Sequence, residues 1–288
     1  MPDIFTMSDN LNLPISSTTV DKAYDDIIHP VASETGKLLS LIPRAINAAL
    51  SPLDKWVLKR EYNIEKTKLA LENKLSSVNP DKIVSPEPYV AVPALQYISY
   101  AISNKELFDL YANLLSKAMY ADTKENVHPS FVEIIKQLSP VDSLVLKRFF
   151  DFKEPIAAAM LSIILRPRGL HAIGQPFPER TFLECVTDIQ IPNIPEEQIL
   201  VSVDNLKRLG LITLFEYSLS DANAYDFVKH SRLYQEVQKD FNKLTQIDLA
   251  NEVNPPKHIA DSISVKKRIL SLTPTGNAFC DICIKGFE

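Results

Sequence analysis

Apolar residues recur at helical spacing through most of the first half of the chain. After Val31, the residues Leu38, Leu39, Ile42, Ala45, Ile46 and Ala49 lie three or four apart, which predicts a helix with one apolar face. Pro43 interrupts that pattern, and Ser51-Pro52-Leu53-Asp54 restarts it. Ser51 suits a cap, Pro52 the first helical position, and Asp54 the positive end of the helix dipole. The second helix carries Leu53, Trp56, Val57, Ile64, Leu71 and Leu75 toward Asn79-Pro80, so the pair reads as an antiparallel hairpin. Ser85-Pro86-Glu87-Pro88 and Pro93 punctuate the next connection, before a short helix marked by Leu95, Ile98, Ala101 and Ile102. Ser103 with Glu106, and Ser130 with Glu133, have the spacing of a capping box. The first opens a helix faced by Leu107, Leu110, Tyr111, Leu114, Leu115 and Ala118; the second opens one faced by Phe131, Ile134, Ile135 and Leu138. Ser139-Pro140-Val141-Asp142 ends that helix and caps another, with Leu144, Leu146, Phe149 and Phe150 turned inward.

Beyond Pro155 the pattern changes. Ile156 to Leu165 is continuously apolar, a composition shared by buried strands and short buried helices, and a strand is favoured toward its end. Phe182 to Ile189 and Glu196 to Leu209 read as helices, whereas Leu211 to Tyr217 and Arg268 to Leu272 have strand composition. Gly210 stops the helix before the first of these strands, and Thr273-Pro274 starts a closing helix after the second. From Asn205 to Phe279 this is the order in which a winged-helix module is strung. About fifty residues separate the two strands, far more than an ordinary wing. They hold a predicted helix over Tyr225 to Leu244 and a Pro255-Pro256 break, so this insertion, 218–265, is a candidate interaction element.

The expected fold is therefore mainly α with a small β component. A polar N-terminus over 1–20, without period, is expected to be mobile. A helical domain follows over 21–138, then a winged-helix-like domain with a long wing insertion over 139–288. The length of 288 residues suits two ordinary cores, and 45% hydrophobic with 23% charged residues is the composition of a globular chain. A net charge of −5, spread evenly over both halves, argues against a nucleic-acid binder by bulk charge. The acidic, polar N-terminus has no signal-peptide pattern, and Cys185, Cys280 and Cys283 are an odd count, so a reducing cytoplasm is expected.

The run Asn126-Val127-His128-Pro129-Ser130-Phe131-Val132-Glu133-Ile134-Ile135-Lys136-Gln137-Leu138-Ser139-Pro140 resembles the bacterial abortive-infection alpha family. Upstream, Glu106-Leu107-Phe108 and Tyr111-Ala112-Asn113-Leu114-Leu115 extend the resemblance. Downstream it continues through Asp204-Asn205-Leu206-Lys207-Arg208-Leu209-Gly210-Leu211-Ile212, then Leu272-Thr273, Gly276 and Phe279-Cys280. The resemblance implies a role in antiphage defence and brings no reaction, cofactor or catalytic residue with it.

Candidate sites divide by chemistry. If the winged module bound DNA, Glu196 to Leu209 would be its recognition helix, with Lys207, Arg208, Lys266, Lys267 and Arg268 as the local cations. Glu196-Glu197 at the start of that helix would repel a phosphate backbone. His128, with Ser130 and Glu133, is a candidate functional motif, because an imidazole before a helix can hold its end or act as a base. Arg166 and His171 have the bare spacing of certain defence ribonucleases, but Pro167 and Gly169 break the helix that chemistry needs. Gly169 to Gly174 mimics a phosphate loop, with Gln175-Pro176 where Lys and Ser or Thr are required. Cys280-Asp281-Ile282-Cys283 lies inside the closing helix, beside Phe279, where buried reduced thiols are expected. Leu38 to Leu58 is the strongest amphipathic stretch, yet its Lys37, Arg44, Asp54 and Lys55 are mixed in sign and form no lipid-facing stripe.

The reading that follows is a non-enzymatic antiphage factor of the bacterial cytoplasm. It would act through contacts with a host or phage protein, with no metal and no cofactor, and self-association would suit that role. A nucleic-acid-binding regulator is the first alternative, and a membrane-active effector using the 31–76 hairpin is the second.

Overall fold

The structure is a computed structural model that describes residues 34–51, 61–153, 155–167, 179–250 and 258–287. The chain is mainly helical, with one four-stranded antiparallel sheet. The helical part runs α1 (Glu34–Leu50), α2 (Glu61–Lys74), α3 (Pro88–Ile98), α4 (Lys105–Ala118), α5 (Ser130–Lys136) and α6 (Pro140–Phe152). Pro43 sits inside α1 without ending it, and Ile42, Ile46, Ala49 and Leu50 are buried. The restart at Pro52 to Asp54, and Trp56, lie outside the described residues.

Helix α4 is the axle of the helical part. Every residue from Leu110 to Ala118 is buried, as expected of a helix surrounded on all sides rather than laid on a surface. Its cap is Asn104 rather than Ser103: the Asn104 side chain accepts from Leu107 N–H at 3.0 Å, so the predicted box begins one residue late. The Ser130–Glu133 box is also corrected. Helix α5 starts at Ser130 itself, where Ser130 can no longer cap it. Ser139 and Asp142 do form the predicted reciprocal box on α6, with Ser139 N–H donating to Asp142 at 2.6 Å and Asp142 N–H to Ser139 at 3.2 Å.

Strands β1 (Ile156–Pro167), β2 (Glu179–Thr187), β3 (Ile212–Phe215) and β4 (His258–Leu272) lie in the order β2-β1-β4-β3. Residues 182–187 are thus strand, not the predicted helix. The register against β1 slips between Ala159 and Leu161 and again between Leu161 and Ser162. Two bulges break the period-two alternation that would otherwise mark the segment as extended. Strand β4 reaches ten residues further upstream than Arg268, because β1 pairs with it from Ile156↔Leu270 to Pro167↔His258.

Helix α7 (Glu196–Arg208) precedes β3, and α8 (Phe227–His230) and α9 (Arg232–Ala250) precede β4. Ser231 divides what the pattern predicted as one helix from Tyr225; its hydroxyl accepts from Tyr234 N–H at 3.1 Å and starts α9. The chain closes with α10 (Pro274–Phe279), capped by Thr273 as predicted, and a π-turn at Cys280–Ile284. The Pro255-Pro256 break lies outside the described residues.

Alternation along β1 divides the interior. Ile156 and Ala158 enter the main core, which joins Leu114, Phe131 and Leu146 to Leu206, Leu211, Leu270 and Phe279. Ala159, Leu161 and Ile163 turn to the opposite face, where Val228, Leu233 and Val237 of α8 and α9 cover them. The long insertion thereby supplies the second layer of the sheet.

Candidate functional site

The stretches that carry the family resemblance are far apart in sequence and meet in space. Asn205 of α7 donates from Nδ2 to the Gln137 carbonyl at 3.1 Å and to Asp142 Oδ2 at 2.9 Å. Its Oδ1 accepts from Arg208 Nη2 at 2.7 Å, and Arg208 Nη1 reaches Gln137 Oε1 at 3.1 Å. The end of the first motif and the centre of the second are thus one hydrogen-bonded unit around Asp142, which is buried. Phe131 meets Phe279 edge to face at 5.4 Å, bringing the third motif to the same place. Asn113 of α4 donates to the Cys283 carbonyl at 2.8 Å and ties the π-turn to the helical part.

Beside this unit a groove of about 720 Å³ runs between the α5–α6 corner and α7. Leu138, Val141 and Val201 supply its apolar surface, with Lys136, Gln198 and Glu197 around them. Val201 is 70% exposed although it sits in the middle of an amphipathic helix. Its rim charges are neutralised within the chain: Glu197 pairs with Arg232 at 3.3 Å, and Lys136 with Glu133 at 3.5 Å. Lys136 Nζ also lies 4.6 Å above the Tyr97 ring. A mostly apolar groove with a neutralised rim suits an uncharged surface of another molecule better than a phosphate backbone.

The model of the family described as abortive infection alpha matches residues 59–283. The chain belongs to the abortive infection alpha family. No curated protein matches it. The solved structure of an uncharacterized protein from the hydrocarbon-degrading marine bacterium Alcanivorax borkumensis SK2 is similar at 15% identity, over 54% of this chain and 92% of that one, with a TM-score of 0.31. Membership in the abortive infection alpha family suggests an abortive-infection-related role, and the groove lies within the matched residues.

The five cations considered for nucleic acid are each engaged by a different neighbour in this family member. Lys207 lies 3.6 Å from both Glu184 and Asp204. Arg208 belongs to the Asn205 unit. Lys266 pairs with Glu179, which also accepts from Ser162, and the two hold the Glu179 carboxyl below its usual range. Lys267 stands 4.9 Å over the Tyr225 ring, and Arg268, its side chain only 15% exposed, reaches Glu216 at 3.4 Å. Glu196 accepts from the Arg232 and Leu233 backbone N–H groups at 3.4 and 3.3 Å. The carboxylates that open α7 therefore hold the start of α9.

His128 and Ser130 are brought together, and Glu133 is not. The Ser130 backbone N–H donates to His128 Nδ1 at 3.1 Å and the Ser130 hydroxyl lies 2.7 Å from the same nitrogen, so the imidazole caps α5. Glu133 turns to Lys136. His128→Ala is expected to cost about 1 kcal/mol, the usual worth of a cap, measured by urea denaturation. A denaturation midpoint equal to that of the unaltered chain would remove the capping role.

Cys280 and Cys283 are free and buried, as expected, and Cys185 is free and buried as well. Burial pushes the Cys185 and Cys280 thiols up to about 12 and Cys283 well above its ordinary value, so they are protonated and poorly nucleophilic at neutral pH. Arg166 pairs with Asp261 at 3.5 Å; His171 and the glycines at 169 and 174 lie outside the described residues. Among the described residues, no group of three or more potential ligands converges on a metal site, and no helix is long and apolar enough to cross a membrane. The residues that sequence inspection missed are Asn205, Gln137, Asn113 and Asp142 in its second role. Three of the four stand within the resembling stretches, which was the available signal.

Proposed function

We propose that this chain is an antiphage factor of the bacterial cytoplasm that acts by protein contact, with the groove between the α5–α6 corner and α7 as its contact surface. The observation that carries the reading is Val201, an apolar side chain 70% exposed over an apolar groove, at the place where the family's motifs meet. In this reading residues 21–138 are a helical unit and 139–288 a winged-helix-like scaffold that presents α7. The sequence of α7, β3, β4 and α10 supports that scaffold, with β1 as third strand. Strand β2 stands where such modules ordinarily carry a helix, and Glu196 and Glu197 serve α9, which together favour a protein surface over a DNA reader.

A plaque assay tests the reading. Bacteria producing the unaltered chain are expected to lower phage plating, and Val201→Glu to restore it at equal protein level. A buried interface anchor replaced by a charge weakens a contact by about tenfold or more. Undiminished restriction by Val201→Glu, with Leu138 and Val141 equally indifferent to polar replacement, would remove the groove from the mechanism.

A further inference from the structure

A second depression lies between α4 and α6, closed at its base by the π-turn, with a volume of about 270 Å³. Leu110, Leu144 and Ile284 give it apolar surface, and Lys105 and Lys147 stand on its walls. Neither lysine has an ion-pair partner among the described residues, although Glu106 and Asp109 line the same depression. Two buried polar side chains face the same space. Asn113 commits Nδ2 to the Cys283 and Ile284 carbonyls at 2.8 and 3.4 Å, and its Oδ1 accepts no bond from a described residue. Ser143 spends its proton on the Pro140 carbonyl at 2.8 Å and keeps its lone pairs. The depression thus offers two ammonium groups and two unused acceptors.

We propose that this cleft binds a small oxyanion that also carries a hydroxyl, of the class of a phosphate ester or a hydroxycarboxylate. The anionic group pairs with Lys105 and Lys147, and the ligand hydroxyl donates to Asn113 Oδ1. Drug-sized ligands occupy sites of roughly 300–1,000 Å³, so this cleft admits only a small molecule. Glu106 and Asp109 also line it, and Asp109 is only loosely balanced by Lys74 at 3.8 Å. Those carboxylates exclude a polyanion such as nucleic acid and favour a compact ligand with one anionic group. A π-turn in the floor is the kind of helical irregularity that recurs at binding sites. The cleft is separate from the α7 groove, so it stands or falls independently of the contact surface proposed above.

Isothermal titration of the full chain with glycerol 3-phosphate and with glycerate, at matched ionic strength, distinguishes the two anion sources. At least one is expected to bind, with affinity reduced about tenfold or more in Lys147→Gln, the usual weight of a charge-assisted hydrogen bond. Lys105→Gln serves as the second variant; both lysines are exposed and neither supports the core. The Asn113 side-chain amide signal of the unaltered chain is expected to shift on binding. No binding of either compound below about 10 mM, binding by both variants as tight as by the unaltered chain, or an unmoved Asn113 amide would each overturn the proposal.

Discussion

Replacing Gly276 with alanine is expected to lower the unfolding free energy by about 3 kcal/mol, the upper range of overpacking costs. A Cβ at this position would stand 1.9 Å from the Leu211 carbonyl oxygen and 2.9 Å from its carbon. Both are backbone atoms, so no side-chain rotation relieves the clash; the start of α10 has to withdraw from the strand. That withdrawal breaks a clamp. Thr273 N–H donates to the same Leu211 oxygen at 3.0 Å, and its hydroxyl donates to the Gly210 carbonyl at 2.6 Å. The hydroxyl also accepts from Gly276 N–H at 2.9 Å, which starts the helix. Gly210 itself has φ +70°, the left-handed turn by which α7 stops and β3 begins. Chemical denaturation measures the loss, with Gly286→Ala as control because a Cβ there meets nothing within 4 Å. Equal midpoints for the two variants would show that the close approach is not a constraint.

Asp142→Ala is expected to cost about 2–3 kcal/mol, from two hydrogen bonds to one buried carboxylate. The carboxylate accepts from Ser139 N–H at 2.6 Å, at the start of α6, and from Asn205 Nδ2 at 2.9 Å, on α7. Its loss leaves both donors without that partner and loosens the corner that forms one wall of the groove. Asn205→Ala removes one of the same bonds, so the double variant is expected to lose less than the sum of the singles. Strict additivity in a double-mutant cycle would mean that Asp142 only caps its own helix. Because Lys136 and Val201 stand on the two sides of this junction, the contact surface proposed above predicts weaker phage restriction alongside the loss of stability.

Helical periodicity in the first half was legible because each helix buries one face and leaves the other wet. The cap at Ser139 was legible for a related reason: a box with proline at the next position has few other uses. Asn104 was not, since an asparagine beside a serine competes with the commoner cap and only backbone geometry chooses; for His128 the helix-end role was one of two readings left open, and the bond from Ser130 N–H selects it. Strand β2 was misread as helix because its bulges place Phe182, Leu183, Cys185 and Val186 at spacings that satisfy a helix as well as a strand. The upstream part of β4, from His258 to Lys267, has too few apolar residues to announce itself. It is extended because β1 pairs with it.

What the sequence determined alone is what depends on neighbours a few residues away: the helices, their apolar faces, the proline and glycine stops, and the family to which the chain belongs. The tertiary structure decided which distant groups satisfy one another. A lysine or glutamate reads from sequence as a solvated charge, and only packing reveals that Glu196 holds another helix or that Arg208 serves Asn205. Hydrogen bonds and ion pairs act over about 3 Å, so a candidate contact residue is free or spent according to what the fold sets within that distance. Each of the five cations has a neighbour within the chain, while Val201 is exposed over a groove that no periodicity could indicate.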